Sequence, residues 1–323
     1  MQSYEVIKYS TQFYDEWNKF VMTSKNATFL FHRDFMEYHQ DRFEDYSLMV
    51  YNNKKLIAIF PSNIENHIVY SHKGLSYGGF LVQNKIRIKD FIFAFKSLLM
   101  FLENRKIEKL YLKKIPTIYH KYLSEEMDYI LSVLDAKEYT NDSYFVIDDL
   151  SNYEPNRNRK RAIKIFREKE LVISNEGIDF FWEHILKKNL KDRFGVDPVH
   201  TIDEIKYLME KFPKNIVFFS AKFNDEILAG VVMFITDNVA HFQYSSGTDS
   251  RSQNGSLDAI FNYIIKAYND KKYISFGSSS TDNSLKIKKG LAYWKESFGA
   301  TLTAQKSYII NTGNHLNLSN IFK

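Results

Sequence analysis

Apolar and polar positions alternate through YSLMVY (Tyr46 to Tyr51), LIAIFPSNI and HIVYS, with NNKK and EN between them. That period of two predicts a meander of closely spaced antiparallel strands. The period then lengthens. Ile88 to Glu103 carries apolar residues at helical spacing, KLYLKKI (Lys109 to Ile115) reads as a short strand, a second helix is expected from about Ile118 to Leu134, and SYFVIDDL closes the half as a strand.

The second half repeats this order: IVFFSAKF, turn NDE, ILAGVVMFI, turn TDN, VAHFQYSS, a polar loop, a helix from about Leu257 to Tyr268, and YISFG. Aligning Asn53 to Ala58 on Asn224 to Ala229 gives an offset of 171 residues (227 − 56), which also places Glu65-Asn66 on Thr236-Asp237. Similar elements at one offset predict duplication of an α/β unit. The expectation is two domains, 1–150 and 151–323, each a mixed, mostly antiparallel sheet flanked by helices, an α/β (α+β) class. Between the copies, Glu154 to Glu170 (EPNRNRKRAIKIFREKE) reads as a linker helix that packs Ile163 and Phe166 inward. Its seven Lys and Arg residues also suit contact with a diphosphate or an RNA backbone.

Composition narrows the chemistry. At 323 residues the chain is long enough for two ordinary domains, and 44% hydrophobic residues with only 5 Pro supply core material rather than long linkers. There is no cysteine, which excludes disulfides, thiolate metal sites and a thioester intermediate on the enzyme. MQSYEVIKYS lacks a basic-then-apolar leader, and the apolar run Phe91 to Leu102 is short and contains Lys96, so a cytoplasmic protein without membrane insertion is expected. The net charge of +5 suits a phosphorylated small molecule and is too weak to demand nucleic acid.

Several motifs bear on a site. The loop SSGTDSRSQNGS (Ser245 to Ser256) precedes a helix, whose free N–H groups and dipole suit a pyrophosphate at Gly255 and Ser256. It carries neither the Gly-Lys-Ser/Thr of a P-loop nor G-x-G-x-x-G. GLSYG (Gly74 to Gly78) matches the nucleophile-elbow pattern around Ser76, but extended chain follows where an elbow needs a helix. Tyr77-Gly78-Gly79 is better read as a close backbone approach or a bulge. The histidines lack metal-ligand spacing, so no metal is expected. On VAHFQYSS, strand alternation places His241, Gln243 and Ser245 on one face and Phe242 and Tyr244 on the other, which makes His241 a candidate general base. His200 precedes Thr201, a plausible N-cap for a helix carrying Glu204. In KKGLAYWKESFGA (Lys288 to Ala300), Lys295 either lies along apolar neighbours or supplies a cation to a reacting acyl group.

PVHTIDEIKYLMEKFP, AGVVMF, HFQYSS and FGSSSTDNSLKIKKGLAYWKESFGA, with FHRDFMEYHQDRFEDYSLMVY and LSYGGF earlier, resemble the tandem-GNAT, FemAB-like N-acyltransferases of surface-polysaccharide biosynthesis. The likeness covers about Phe31 to Ile310. It implies acyl transfer from acetyl-CoA or 3-hydroxybutyryl-CoA to the amine of a nucleotide-linked sugar such as a dTDP-3-amino-3,6-dideoxyhexose. It also implies that VAHFQYSS splays from YISFG to admit pantetheine, with Gln243, Tyr244, Ser245, Gly247, Asn254, Gly255 and Ser256 toward the coenzyme. Tyr77, Gly78, Ser279, Asp282, Asn283, Lys289 and Trp294 are expected at the acceptor, and Lys295, His241 and His200 in catalysis. Gly290 would let the chain approach the cleft. The RSQNGS run only approximates the phosphate signature of GNAT folds, and Ser275-Phe276-Gly277 stands where the family has Asp-Phe-Gly. The alternatives are an aminoacyl-tRNA-dependent peptidoglycan transferase, for which Arg157 to Lys169 would hold RNA, and a non-catalytic nucleotide-sugar binding module. A homodimer is compatible with either copy serving as an interface.

Overall fold

In the computed structural model, which describes residues 4–322, the strands that frame the molecule follow in chain order. They are β1 (Tyr4–Lys8), β2 (Leu48–Asn52), β3 (Lys55–Phe60), β4 (Asn63–Glu65), β5 (Ile68–Tyr70), β6 (Leu81–Val82), β7 (Lys109–Lys113), β8 (Lys137–Ile147), β9 (Val172–Ser174), β10 (Ile216–Phe223), β11 (Glu226–Ile235), β12 (Val239–Gly247), β13 (Tyr273–Ser278) and β14 (Thr301–Asn311). The principal helices are α1 (Ile88–Glu103), α2 (Glu126–Val133), α3 (Arg157–Glu168), α4 (Ile202–Lys211), α5 (Ser256–Ala267) and α6 (Lys289–Glu296). The chain divides into two units, Met1–Asp142 with Ala304–Lys323, and Ser143–Thr303. Residue 150 therefore lies inside the second unit, and the C-terminal strand belongs with the first.

In the first unit, β1, β2, β3 and β6 form one antiparallel sheet, while β14, β7, β5 and β4 lie side by side in another. β5 and β7 are parallel, and the later residues of β14 run antiparallel to β7. Pro61, which offers no N–H, follows β3 where the chain leaves one sheet for the other. Helix α1 covers this unit's core with Phe91, Phe95, Leu98 and Leu102, residues spaced along one face as its periodicity requires. The expected helix from Ile118 to Leu134 is interrupted: a 3₁₀ turn spans Thr117–Tyr119, and α2 starts only at Glu126. Between them the chain is tied elsewhere, since Lys121 N–H donates to the Lys25 carbonyl at 2.8 Å and Lys25 Nζ reaches the Leu123 carbonyl.

The second unit is a sheet in the order β9, β10, β11, β12, β13 and the last residues of β8, antiparallel except for β12 with β13. Its core joins Ala229, Val231, Met233 and Phe242 of the sheet to Ile260, Phe261 and Ile264 of α5. Thr201 caps α4 with a reciprocal Glu204 contact, as its spacing predicts. Residues Phe181–Lys187 form a π-helical stretch that the apolar pattern did not announce.

The duplication extends to backbone detail. Asn53 and Lys54 turn with φ of 48° and 66°, and Asn224 and Asp225, 171 positions on, with 45° and 65°, the left-handed pair that a two-residue hairpin needs. The bulge between Val50 and Tyr51 recurs between Ala221 and Lys222 at the same offset. The second turn does not superpose. Asn66 and His67 adopt positive φ, whereas the Thr236 turn closes by N–H donation to the Val239 carbonyl.

Candidate active site

β12 and β13 pair for three residues only, Val239 to His241 against Tyr273 to Ser275, and then part. Beyond that point β12 remains bonded to β11 alone, and the sheet opens. Two bulges shape the opening. Gln243 is the extra residue between Tyr244 and Phe242 on β12, and Phe276 the extra residue between Ser275 and Gly277 on β13. Gly277 turns with φ of 69°, and a Cβ on it would stand 3.2 Å from His241 Cε1. A side chain there would crowd the imidazole, so glycine is required for both reasons.

The Gln243 bulge also overturns the simple alternation expected for VAHFQYSS. Phe242 stacks on Phe261 of α5, centroids 3.9 Å apart, while Tyr244 meets Trp182 on the opposite face at 5.0 Å. Phe242 and Tyr244 are therefore on different faces, because one inserted residue reverses the parity of a strand. Tyr244 joins His241 instead, His241 being paired with Phe234, whose ring meets His200.

A polar array results. His241 Nδ1 lies 3.0 Å from Ser275 Oγ, and His200 Nδ1 lies 2.6 Å from Tyr244 Oη. Gln243 hydrogen-bonds to both His241 and Tyr244 and so links the two pairs. Burial, and then the nearby Lys295 charge, push His241 down to about 4. Burial pushes the Tyr244 phenol up to about 12, against donors from the His200 backbone and Gln243 that favour its anion.

Lys295 completes the opening. It is only 3% exposed, and its Nζ donates to the carbonyls of Gly277 at 2.8 Å and Ser278 at 2.7 Å, over the Phe145 ring. Burial pushes it down to about 7. It thus points inward to the end of β13 rather than along the outer surface. Its neighbour Trp294 lies on the other side of α6, against Phe261 and Phe298, with its indole N–H on Asp258, which also holds Arg159.

The other expected site residues fall apart from this array. Gly255 packs so closely on α3 that a Cβ would run into the Ala162 carbonyl. Ser256 is fully buried, and its N–H is taken by Asn254 Oδ1 at 2.9 Å. Gln253 and Asn254 N–H groups turn back to the Ser250 carbonyl. The start of α5 therefore does not offer the free N–H cradle expected for a pyrophosphate. Gly247 is buried with its carbonyl on Asn189, and Ser245 is exposed. Tyr77 is a core residue of the first unit, its hydroxyl on Thr28, and Gly78 packs against the Ser71 carbonyl. Ser279 is buried behind β13, bonded through its backbone to Ser143 and Lys288, while Asp282, Asn283 and Lys289 are exposed. A Cβ on Gly290 would meet nothing within 4 Å, so no close approach requires glycine there. Ser275 and Phe145 were not among the expected residues. Their roles depend on partners 34 and 150 positions away along the chain, His241 and Lys295, and no local pattern marks them.

Among the described residues no cluster of His, Asp and Glu is placed to hold a metal ion, and no helix is long and apolar enough to cross a membrane. No protein-family pattern and no curated protein matches the sequence. Solved structures do match in fold. The chain is similar to FemX, with a TM-score of 0.69 at 11% identity over 98% of this chain and 99% of that one. It is similar to L-PGS from Bacillus licheniformis, TM-score 0.56 at 10% identity over 96% and 94%. A tandem GNAT protein from the clavulanic acid biosynthesis pathway matches with a TM-score of 0.50 at 7% identity over 96% and 99%. The fold is that of FemX and the tandem GNAT proteins, an α/β duplication with sheets flanked by helices.

Proposed function

We propose that the chain is an N-acyltransferase whose reaction takes place where β12 and β13 part. The finer reading is transfer from acetyl-CoA or 3-hydroxybutyryl-CoA to the amine of a nucleotide-linked sugar such as a dTDP-3-amino-3,6-dideoxyhexose. One observation carries it: a sheet opened at His241–Ser275 with a buried lysine, Lys295, at the mouth of the gap. A gap between parallel strands takes an extended acyl arm, and the similarity to a tandem GNAT protein supports that use.

The residues divide the work by charge. The acceptor amine attacks the acyl carbonyl as a neutral base, and an oxyanion and an ammonium form together. Lys295, with two of its N–H groups on the Gly277 and Ser278 carbonyls, has a third to donate to the oxyanion. His241, held near 4, is neutral and able to accept a proton at physiological pH, though a weak base at rest. Negative charge developing beside it raises both its own pKa and that of Lys295, so it gains basicity as the amine must lose its proton. Tyr244, His200 and Gln243 fix the imidazole rather than titrate.

Coenzyme A suits this site at its acyl end only, because the start of α5 is closed. Its phosphates would have to be met elsewhere, and a cavity of about 570 Å³ lined by Arg159, Arg161, Gln253 and Trp294 offers the nearest cations. The same closure favours a second reading, an acyl donor carried on RNA. Helix α3, which covers α5, turns Arg157, Lys160, Arg161, Lys164 and Arg167 outward. Release of free thiol from a panel of acyl-CoAs, dependent on an added dTDP-amino sugar, tests the first reading. No release with any pair, together with RNA binding that weakens steeply with salt, favours the second.

A further inference from the structure

We propose that the first unit holds a separate ligand site, between β5 and β7, for a ring-bearing monocarboxylate. β5 and β7 pair for three residues, Ile68 to Tyr70 against Lys109 to Tyr111, and then part, as β12 and β13 do. Tyr70 precedes His241 by the repeat offset of 171, so the opening recurs at the same register with different side chains. It contains a cavity of about 380 Å³, whose walls include Tyr70, His72, Lys73, Tyr111, Lys113 and Tyr139. That volume lies within the range of small-molecule sites.

The side chains state what it takes. The Tyr70 and Tyr111 rings are 5.1 Å apart at 34°, and Tyr139 meets Tyr111 edge-on at 5.4 Å, leaving a flat aromatic wall suited to a sugar or aromatic ring. Lys73 is already committed, paired with Glu65 and 4.2 Å from the Tyr70 ring centre. Lys113 is not. Among the described residues its ammonium has no hydrogen-bond or ion-pair partner, although burial pushes its pKa down, with Asp142 acting in the opposite sense. A buried cation without a partner is costly, and an anion placed beside it repays that cost. With one uncommitted cation and with Glu65 and Asp142 nearby, a single negative charge matches the site and a diphosphate does not. His72, only 4% exposed and held at φ of 68°, has a buried Nδ1 without a partner among the described residues.

Calorimetric titration of the full chain with benzoate, glucuronate and thymidine diphosphate tests this without any acyl donor, so its outcome is independent of the transfer reaction. One of the two carboxylates is expected to saturate a single site, and which one does distinguishes an aromatic acid from a sugar acid. Lys113→Met and Tyr111→Ala should each weaken that binding by at least about tenfold, the effect of losing a charged hydrogen bond or a stacking face. If Lys113→Met does not fold, as judged by circular dichroism, Tyr111→Ala carries the test. Absence of saturation by either carboxylate, unchanged affinity in a folded variant, or tighter binding of thymidine diphosphate would overturn the proposal.

Discussion

Tyr70 in the first unit and His241 in the second stand at the same register of one duplicated frame, each at the last residue of a three-residue parallel pairing. The backbone opens alike, but the first opening is walled by tyrosines and the second by a hydrogen-bonded row ending at Lys295. Backbone pairing makes the gap, and the side chains entering it decide what the gap does. The closest analogue of Lys295 in the first unit is Lys113, which comes from the parted strand itself and holds no carbonyls.

The largest effect expected from breaking this contrast is on turnover. Lys295→Met should slow acyl transfer by at least about tenfold, the lower end of what losing an oxyanion donor does; single-turnover rates measure it. Next is the seal between α3 and α5. Gly255→Ala places a Cβ against the Ala162 carbonyl at φ of 67°. It should cost about 2 kcal/mol or more, from overpacking added to a left-handed backbone. Gly195→Ala, at the same φ but with nothing within 4 Å, should cost only about 1 kcal/mol. Urea denaturation compares them, and equal costs would mean the seal contributes nothing.

A smaller, pH-dependent effect separates the units further. His39 and His72 in the first unit have rings 5.3 Å apart, and burial pushes them down to about 4 and about 3. The unfolded chain, near 6.5, takes up these protons first, so their burial costs nothing above about pH 6.5 and progressively lowers stability as pH falls toward 4. His39→Phe should flatten that acid slope by up to about 1.4 kcal/mol per pH unit, read from melts between pH 6.5 and 4. The smallest effect is Gly290→Ala in α6, with open space around it, which should stabilise by about 0.5 kcal/mol.

Much of the frame was legible. The bounds of α1 agree with its apolar period, and the offset of 171 reproduces turns and bulges that no one stretch reveals. The site was legible only in its parts. His241, Tyr244, His200 and Lys295 were all marked in the sequence, but the Gln243 bulge that sets which of them share a face has no residue signature. The loop before α5 looked like a phosphate cradle because its glycine and serine suit one. Gly255 instead serves close packing on a helix nearly a hundred residues earlier, a contact that local pattern does not encode. The α2 region failed for a related reason, tertiary ties to Lys25 overriding an apolar run.

The most direct test is the pH dependence of acceptor-dependent thiol release in the wild-type chain and in Lys295→Met. Burial holds Lys295 near 7 rather than 10.5, so its positive charge, and with it the help to the oxyanion, is present below about pH 7 and lost above it. The wild type should show a contribution to the rate that declines through about pH 7 and is missing from the variant. Parallel profiles of equal height for the two proteins would contradict a reaction at the opening of β12 and β13.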